Sequence, residues 1–221
     1  MTEVGKHIIV EGTDATGKSS IADKLADRIR ETGHEVWRLD EPDSIKNEEG
    51  EVLVPISVEL RRIIKDGSLG RTALTNAFLF TASRLENWSQ QTKPALVRGI
   101  TVVQARSDMS SEVYQGYVEG LDIELIRYLT RLATDEQYMS PDLEMILDLD
   151  DEEERARRLA NRGPLETLDT FESRGPSFQQ GLLDGYRKIA RDENLPIIMT
   201  NRPFIQVLDK AWELVEPLYR D

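Results

Sequence analysis

A three-layer α/β fold, with a five-stranded parallel sheet flanked by helices and a lid segment, is predicted for this chain of 221 residues. Three observations predict it. A short apolar run, His7-Ile8-Ile9-Val10, leads into a glycine-rich loop and then into an apolar repeat of helical spacing. Strand-like and helix-like stretches alternate along the rest of the chain, the pattern of a mostly parallel sheet covered on both faces. No internal repeat and no low-complexity linker divides the sequence, so one domain over 1–221 is expected.

The elements follow in order. His7–Val10 is short and apolar, as suits a buried strand. Ile21, Ala22, Leu25, Ala26 and Ile29 recur at helical spacing, and Gly33 is the expected stop. Glu35–Leu39, Ile100–Gln104, Glu144–Leu149 and Pro196–Thr200 are the further strand candidates. Between them, Leu60, Ile63 and Ile64 mark one helix, and Leu74, Ala77, Phe78, Thr81, Leu85 and Trp88 a longer one. Ile123, Ile126, Leu129 and Leu132 mark another, and a last helix is expected from Phe204 to Tyr219. Crossovers between parallel strands should be right-handed. Two stretches are irregular: Glu41–Pro55, and Arg162–Ser177 with its Gly-Pro pairs. A long polar loop is a mobile lid in some folds and a solvated surface loop in others, and composition does not separate the two. Were the second stretch a lid, it would span roughly 155–177.

The loop after the first strand, Gly12-Thr13-Asp14-Ala15-Thr16-Gly17-Lys18-Ser19, matches G-x-x-x-x-G-K-[ST] at every fixed position. Each fixed residue has a phosphate-binding task. The glycines let successive backbone N–H groups turn inward, and the following helix adds its positive dipole end. Lys18 carries charge to the β- and γ-phosphates, while Ser19 offers a hydroxyl to Mg²⁺. An ordinary glycine turn is the alternative, and the strand–loop–helix context argues against it. The motif therefore predicts a P-loop NTPase fold that binds a nucleoside triphosphate with Mg²⁺. Its binding residues would be Gly12, Thr13, Asp14, Ala15, Thr16, Gly17, Lys18, Ser19 and Ser20, with the Ser19 hydroxyl facing the metal.

Composition narrows the partners. The formal net charge is -13, a field that repels nucleic acid but permits a small anion gripped by a few arginines. With no cysteine, disulfides and thiolate metal sites are ruled out. No apolar run approaches the roughly 20 residues that span a bilayer, and the N-terminus runs directly into the first strand without a signal-peptide pattern. A cytoplasmic location and no membrane partner are expected. Other nucleotide-binding classes fit poorly: Thr200-Asn201-Arg202-Pro203 does not supply a guanine-reading N-K-x-D, and the loop is not the G-x-G-x-x-G of dinucleotide enzymes.

A second constellation lies downstream. Arg106 follows the third strand, at the carboxyl end where open α/β sheets bind ligands. A guanidinium there can fork onto a phosphate, or else pair with a neighbouring carboxylate. Phe80 and Arg84 are four apart and share a helix face, so ring and guanidinium could together read a base; a core Phe beside a surface Arg is the plainer reading.

Taken in order, these residues resemble the thymidylate kinase family, and the likeness covers nearly the whole chain. Glu11-Gly-Thr-Asp-Ala-Thr-Gly-Lys-Ser-Ser20 is similar to the family's E-G-x-D-x-x-G-K-[ST]-[ST] loop, Glu41-Pro42 to the end of its R-E-P segment, and Phe80 to Arg84 to its F-x-x-x-R. Arg106 to Gly116 resembles its D-R-x-x-x-S-[ST]-x-x-Y-Q-G from the arginine onward, Pro141-Asp142-Leu143 with Leu147-Asp148 its P-D-L-x-x-x-L-D, and Arg158 to Tyr186 its lid and following helix. The resemblance implies transfer of the ATP γ-phosphoryl group to dTMP by a homodimer packed through its long helices. It implies that Lys18 and the loop amides hold ATP, Asp14 faces the acceptor's sugar hydroxyl or a Mg²⁺-bound water, Arg106 grips the acceptor phosphate, Phe80 stacks on the base, Arg84, Ser111 and Gln115 meet the base, and Tyr114 lies under the sugar. Arg158 and Arg162 would be the lid arginines. Lys18, Arg106, Arg158 and Arg162 would then carry catalysis, by positioning and charge.

Two positions depart from the family. Ala105 stands where the pattern has Asp, and Asp40 where it has Arg, so a carboxylate and a cation are missing from the expected places. Three readings follow: another acid such as Glu11, Asp14, Glu41 or Asp108 takes over the metal's outer shell; the acceptor is another pyrimidine deoxynucleotide or a nucleoside; or the chain binds nucleotides without efficient transfer.

Overall fold

The computed structural model describes residues 4–46, 50–161, 171 and 174–220. The chain opens with β1 (His7–Gly12), the P-loop, and α1 (Lys18–Glu31), then β2 (Val36–Asp40). α2 (Pro55–Lys65) and α3 (Ala73–Asn87) follow, with a π-helical segment at Trp88–Thr92 and the short α4 (Lys93–Val97) before β3 (Thr101–Ala105). Next come α5 (Asp108–Ser111), a second π-helical segment at Glu112–Val118, α6 (Ile123–Ala133), α7 (Glu136–Met139) and β4 (Leu143–Asp148). The chain closes with α8 (Glu152–Asn161), α9 (Pro176–Asp192), β5 (Ile197–Met199), α10 (Phe204–Val215) and a 3₁₀ turn at Glu216–Tyr219.

Among the described residues the strands form one five-stranded parallel sheet in the order β2-β3-β1-β4-β5. β1 is central and its residues are all buried, which is why its sequence reads as an apolar run rather than an alternation. Its side chains still divide between two layers. Ile8 and Val10 pack with Ile21, Leu25 and Ile29 of α1 and with Val207, Leu208 and Ala211 of α10. Glu11 serves the opposite layer, where Met109, Val113, Leu182 and Ile189 close over Ile146. A third cluster, around Leu39, Val102, Trp88, Leu96 and Tyr138, covers the β2–β3 half of that face.

The chain runs from β1 out to the β2 edge and back through β3, then crosses to β4 and β5 on the other side of β1. That reversal opens a crevice at the carboxyl ends of the strands, where doubly wound sheets bind ligands. The P-loop and Arg106 both sit there, directly after β1 and β3.

The structure shifts some sequence-based boundaries. β2 and β3 each run one residue further than the apolar patterns suggested, because Asp40 pairs in register with Ala105 and the Glu41 N–H donates to the Ala105 carbonyl at 3.0 Å. β5 is shorter than Pro196–Thr200. The larger difference is on α3 and α6, which pack together. Leu74, Phe78, Leu85 and Leu132, counted as helix-defining apolar positions, are exposed, whereas Asn76, Ser83, Arg84 and Asn87 of α3 are buried.

Candidate active site

The P-loop has the backbone its glycines forecast. Gly12 adopts φ 138, and a Cβ there would stand 2.2 Å from the Leu147 carbonyl oxygen, so only glycine fits beside β4. Gly17 caps α1 with φ 89. The Thr16 hydroxyl donates to the Thr13 carbonyl at 2.8 Å and holds the loop closed on itself. Lys18 folds back so that Nζ donates to the same Thr13 carbonyl at 2.7 Å, 3.7 Å from Asp14. Burial and then the neighbouring Arg106 guanidinium bring the Lys18 ammonium down to about 8, against the pull of Asp14, Glu11 and Asp40. A phosphate in the loop would relieve this frustrated cation. Ser19 Oγ donates to Asp40 Oδ2 at 2.7 Å, and Ser20 is exposed. Arg158, from α8, lies on the outer side of the loop, where Nη1 donates to the Ala15 carbonyl at 3.1 Å and to the Thr200 hydroxyl at 3.4 Å.

A cavity runs from the P-loop toward the aromatic layer. At the loop end it is lined by Asp14, Lys18, Ser19, Asp40 and Arg106. Arg106 holds a left-handed backbone, φ 69, uncommon for a residue with a side chain. The conformation is pinned by its N–H donating to the Val10 carbonyl at 3.1 Å and by Gln104 Nε2 donating to its own carbonyl at 2.8 Å. The guanidinium thereby turns into the crevice, pairs with Asp14, and lies 5.6 Å over the Tyr114 ring. At the other end Phe80, Tyr114 and Phe171 form the wall, with Tyr114 edge-on to Phe171 at 5.3 Å between ring centroids. Ser111 and Gln115 reach the same cavity. Tyr114 and Gln115 both ride on the π-helical segment, a local widening often found at functional sites. One pocket thus joins an end where Lys18 and Arg106 face Asp14 and Asp40 to an aromatic slot.

Arg84 forms the floor rather than the lining. It is fully buried: Nε donates to Tyr138 Oη at 2.9 Å, and Nη2 to Glu41 Oε2 at 3.3 Å, the Ser107 carbonyl at 3.1 Å and Ser111 Oγ at 3.3 Å. The plainer expectation, a core Phe beside a surface Arg, fails for Arg84, while Phe80 is half-buried against the aromatic cluster. Burial pushes the Glu41 carboxyl up to about 7 while the Arg84 guanidinium pulls it down. Glu11 is the other buried anchor. Its carboxylate accepts from Ser107 N at 2.6 Å, from the Ser110 hydroxyl at 2.9 Å and from Tyr186 Oη at 3.0 Å, tying β1 to α5 and α9.

Of the residues expected from the sequence, Asp14, Lys18, Ser19, Phe80, Arg106, Ser111, Tyr114 and Gln115 line one cavity, whereas Arg84 lies beneath it and Arg158 is held on the outer side of the P-loop; Arg162 and most of the expected lid, 162–170 and 172–173, lie outside the described residues. Sequence reasoning missed Arg61 and Lys65, which line the cavity from α2. Their spacing of four, on one face with Ser57 and next to Ile64, was the available signal. Asp40 was noted only as a lost arginine, and its bond to Ser19 is a tertiary fact.

The oxygen donors fit a divalent cation of the Mg²⁺ class. The Ser19 hydroxyl, the Asp40 carboxylate and the nearby Asp14 are hard ligands. Among the described residues no cluster of three or more ligating side chains forms a cage, which suits a metal that arrives with phosphate oxygens.

Comparison with known proteins agrees with this geometry. The family model described as thymidylate kinase matches residues 10–211. A thymidylate kinase of Chlorobium luteolum is 33% identical over 191 residues, covering 84% of this chain and 84% of that protein. One of Ruegeria pomeroyi is 32% identical over 218 residues, covering 97% and 96%. The crystal structure of thymidylate kinase from Ehrlichia chaffeensis superposes with a TM-score of 0.71 at 23% identity, covering 96% of this chain and 99% of that one, and shares the fold. With the loop, the arginine and the aromatic slot assembled in one crevice, the chain belongs to the thymidylate kinase family.

Proposed function

We propose that this protein transfers the γ-phosphoryl group of ATP to dTMP, giving dTDP and ADP. One observation carries the reading: a single cavity runs from the P-loop, past Arg106, to a slot walled by Phe80, Tyr114 and Phe171. A monophosphate placed with its base in the slot presents its phosphate to Arg106, facing the donor loop. The loop amides from Thr13 to Ser20 and Lys18 hold the ATP phosphates. Mg²⁺, held by Ser19 with Asp14 nearby, supplies neutralising charge when bound. Arg106 fixes the acceptor phosphate, and its pairing with Asp14 keeps it aimed at the loop until substrate arrives.

At the base end Phe80 provides the stacking face. Ser111 and Gln115 provide polar contacts to the base edge, Arg84 holds Ser111 from beneath rather than meeting the base itself, and the Tyr114 ring beneath the sugar disfavours a 2′-hydroxyl. Arg61 and Lys65 supply cations on the side of the pocket where Asp40 removes one. Arg158 and Arg162 belong to a lid over roughly 155–177, in one kinase domain spanning the chain. Little covalent chemistry is asked of the protein; alignment and charge supply the rate.

The exposed Leu74, Phe78 and Leu85 of α3, with Tyr128 and Leu132 of α6, fit a homodimer interface. No helix among the described residues is long and apolar enough to cross a membrane. A cytoplasmic enzyme of nucleotide metabolism remains our reading, and the net charge of -13 disfavours a nucleic-acid partner.

A coupled ADP-release assay with ATP, Mg²⁺ and dTMP, dUMP, dCMP, dAMP, UMP or thymidine tests the reading. dTMP should be the best acceptor. No turnover of any monophosphate, or turnover of thymidine alone, would refute it.

A further inference from the structure

We infer that Asp40, at the end of β2, is the carboxylate that completes the divalent-cation site of the P-loop, acting on the metal through its coordinated water. In P-loop enzymes the loop's Ser or Thr binds the metal together with an aspartate from elsewhere in the fold. Here β3, which adjoins β1, ends in Ala105 and offers no such group. The acid stands one strand further out. Asp40 is the register partner of Ala105, and its Oδ2 accepts from Ser19 Oγ at 2.7 Å, so the carboxylate already touches the hydroxyl that meets the metal.

Its one ion pair is shared rather than exclusive. Arg38 is the nearest cation, 3.5 Å away, but Arg38 Nε donates to Asp23 at 2.8 Å, so Asp40 shares a guanidinium that is already engaged. Asp14, the other acid beside the loop, is bracketed by Lys18 and Arg106 and is the weaker candidate. Asp40 also lines the cavity and is partly open to solvent, which leaves room for a bridging water.

The inference rests on the loop's binding a nucleotide with Mg²⁺, and the experiment separates the two. Mn²⁺ titration of the full-length protein with saturating ADP, followed by the electron paramagnetic resonance of free Mn²⁺, gives the metal affinity of the complex. Calorimetry with ADP in EDTA gives metal-free nucleotide affinity. Asp40→Asn should weaken Mn²⁺ by about 10–100-fold, the usual effect of losing an outer-shell partner. Metal-free ADP affinity should hold or improve, since a negative charge has left the site. Asp40→Asn/Ala105→Asp, which moves the acid back one strand, should recover part of the metal affinity.

Unchanged Mn²⁺ affinity in Asp40→Asn would overturn the proposal, and so would an equal loss in both titrations, which marks Asp40 as a strut between β2 and α1. If the unmodified protein binds ADP with Mn²⁺ and only the variant result fails, the kinase reading survives. If it binds no ADP, both fall.

Discussion

Arg84 is the most informative residue to remove, because it is a buried pillar beneath the pocket. Arg84→Met keeps much of the side-chain volume but deletes four hydrogen bonds and leaves Glu41 buried without its cation. Breaking a buried pair on one side costs about 3–5 kcal/mol. For a chain of this size that lowers Tm by on the order of 10 °C. The pH dependence carries the argument further. The Glu41 pKa is raised by burial to about 7, above its unfolded value, so folding favours the protonated carboxyl and stability is lost as pH rises through that value. In the unmodified protein this loss levels off once Glu41 ionises against Arg84. Without Arg84 the carboxyl stays protonated to higher pH, and stability keeps falling by about 1.4 kcal/mol for each further unit. Urea unfolding of the metal-free protein between about pH 6 and pH 9 measures this directly. The deficit of Arg84→Met should widen with pH, and adding Glu41→Gln should abolish the widening and recover part of the stability. A deficit below about 1 kcal/mol, or one that is independent of pH, would refute the reasoning.

Other predictions follow from single features. His7 is buried and held neutral, its pKa lowered by burial to about 4, below the unfolded value; stability should be fully present above about pH 6.5 and fall by up to about 3 kcal/mol toward pH 4, a slope that His7→Gln should flatten in urea titrations. Phe78→Glu puts a charge in the exposed apolar face of α3; light scattering should show a shift from dimer to monomer with little change in the far-ultraviolet circular dichroism. Ala105→Asp alone should not raise kcat, because the new carboxylate would stand about 5 Å from Asp40 across the parallel pair and repel it. A clear gain in kcat would mean that the site simply lacks an acid.

The donor half of the site was legible in the sequence because its geometry is local. Gly12 to Ser19 is one contiguous turn between a strand and a helix, and each residue's task follows from its own backbone freedom or charge. The order of the elements was legible for a similar reason: burial on both faces makes β1 a continuous apolar run, and the spacing of Ile21, Leu25 and Ile29 is the spacing of one helix face. Less was legible where a residue's surroundings come from distant segments. Phe78 and Arg84 illustrate the failure. Periodicity counts an apolar residue as core and an arginine as surface, yet Phe78 is exposed and Arg84 is sealed under the pocket by Glu41, Ser107, Ser111 and Tyr138, contributed by three separate parts of the chain.

By itself, then, the sequence determined the P-loop, the parallel α/β architecture and the family, since these rest on contiguous motifs and on periodicities set by the geometry of single elements. The tertiary structure alone decided how the acceptor half is built. Only β2–β3 registry sets Asp40 beside Ala105, and only the packing of α1 against that edge brings the Asp40 carboxylate to the Ser19 hydroxyl. Read along the chain, Asp40 is an arginine lost and Ala105 an aspartate lost. Folded, they are neighbours on adjacent strands, and a carboxylate absent from one stands on the other.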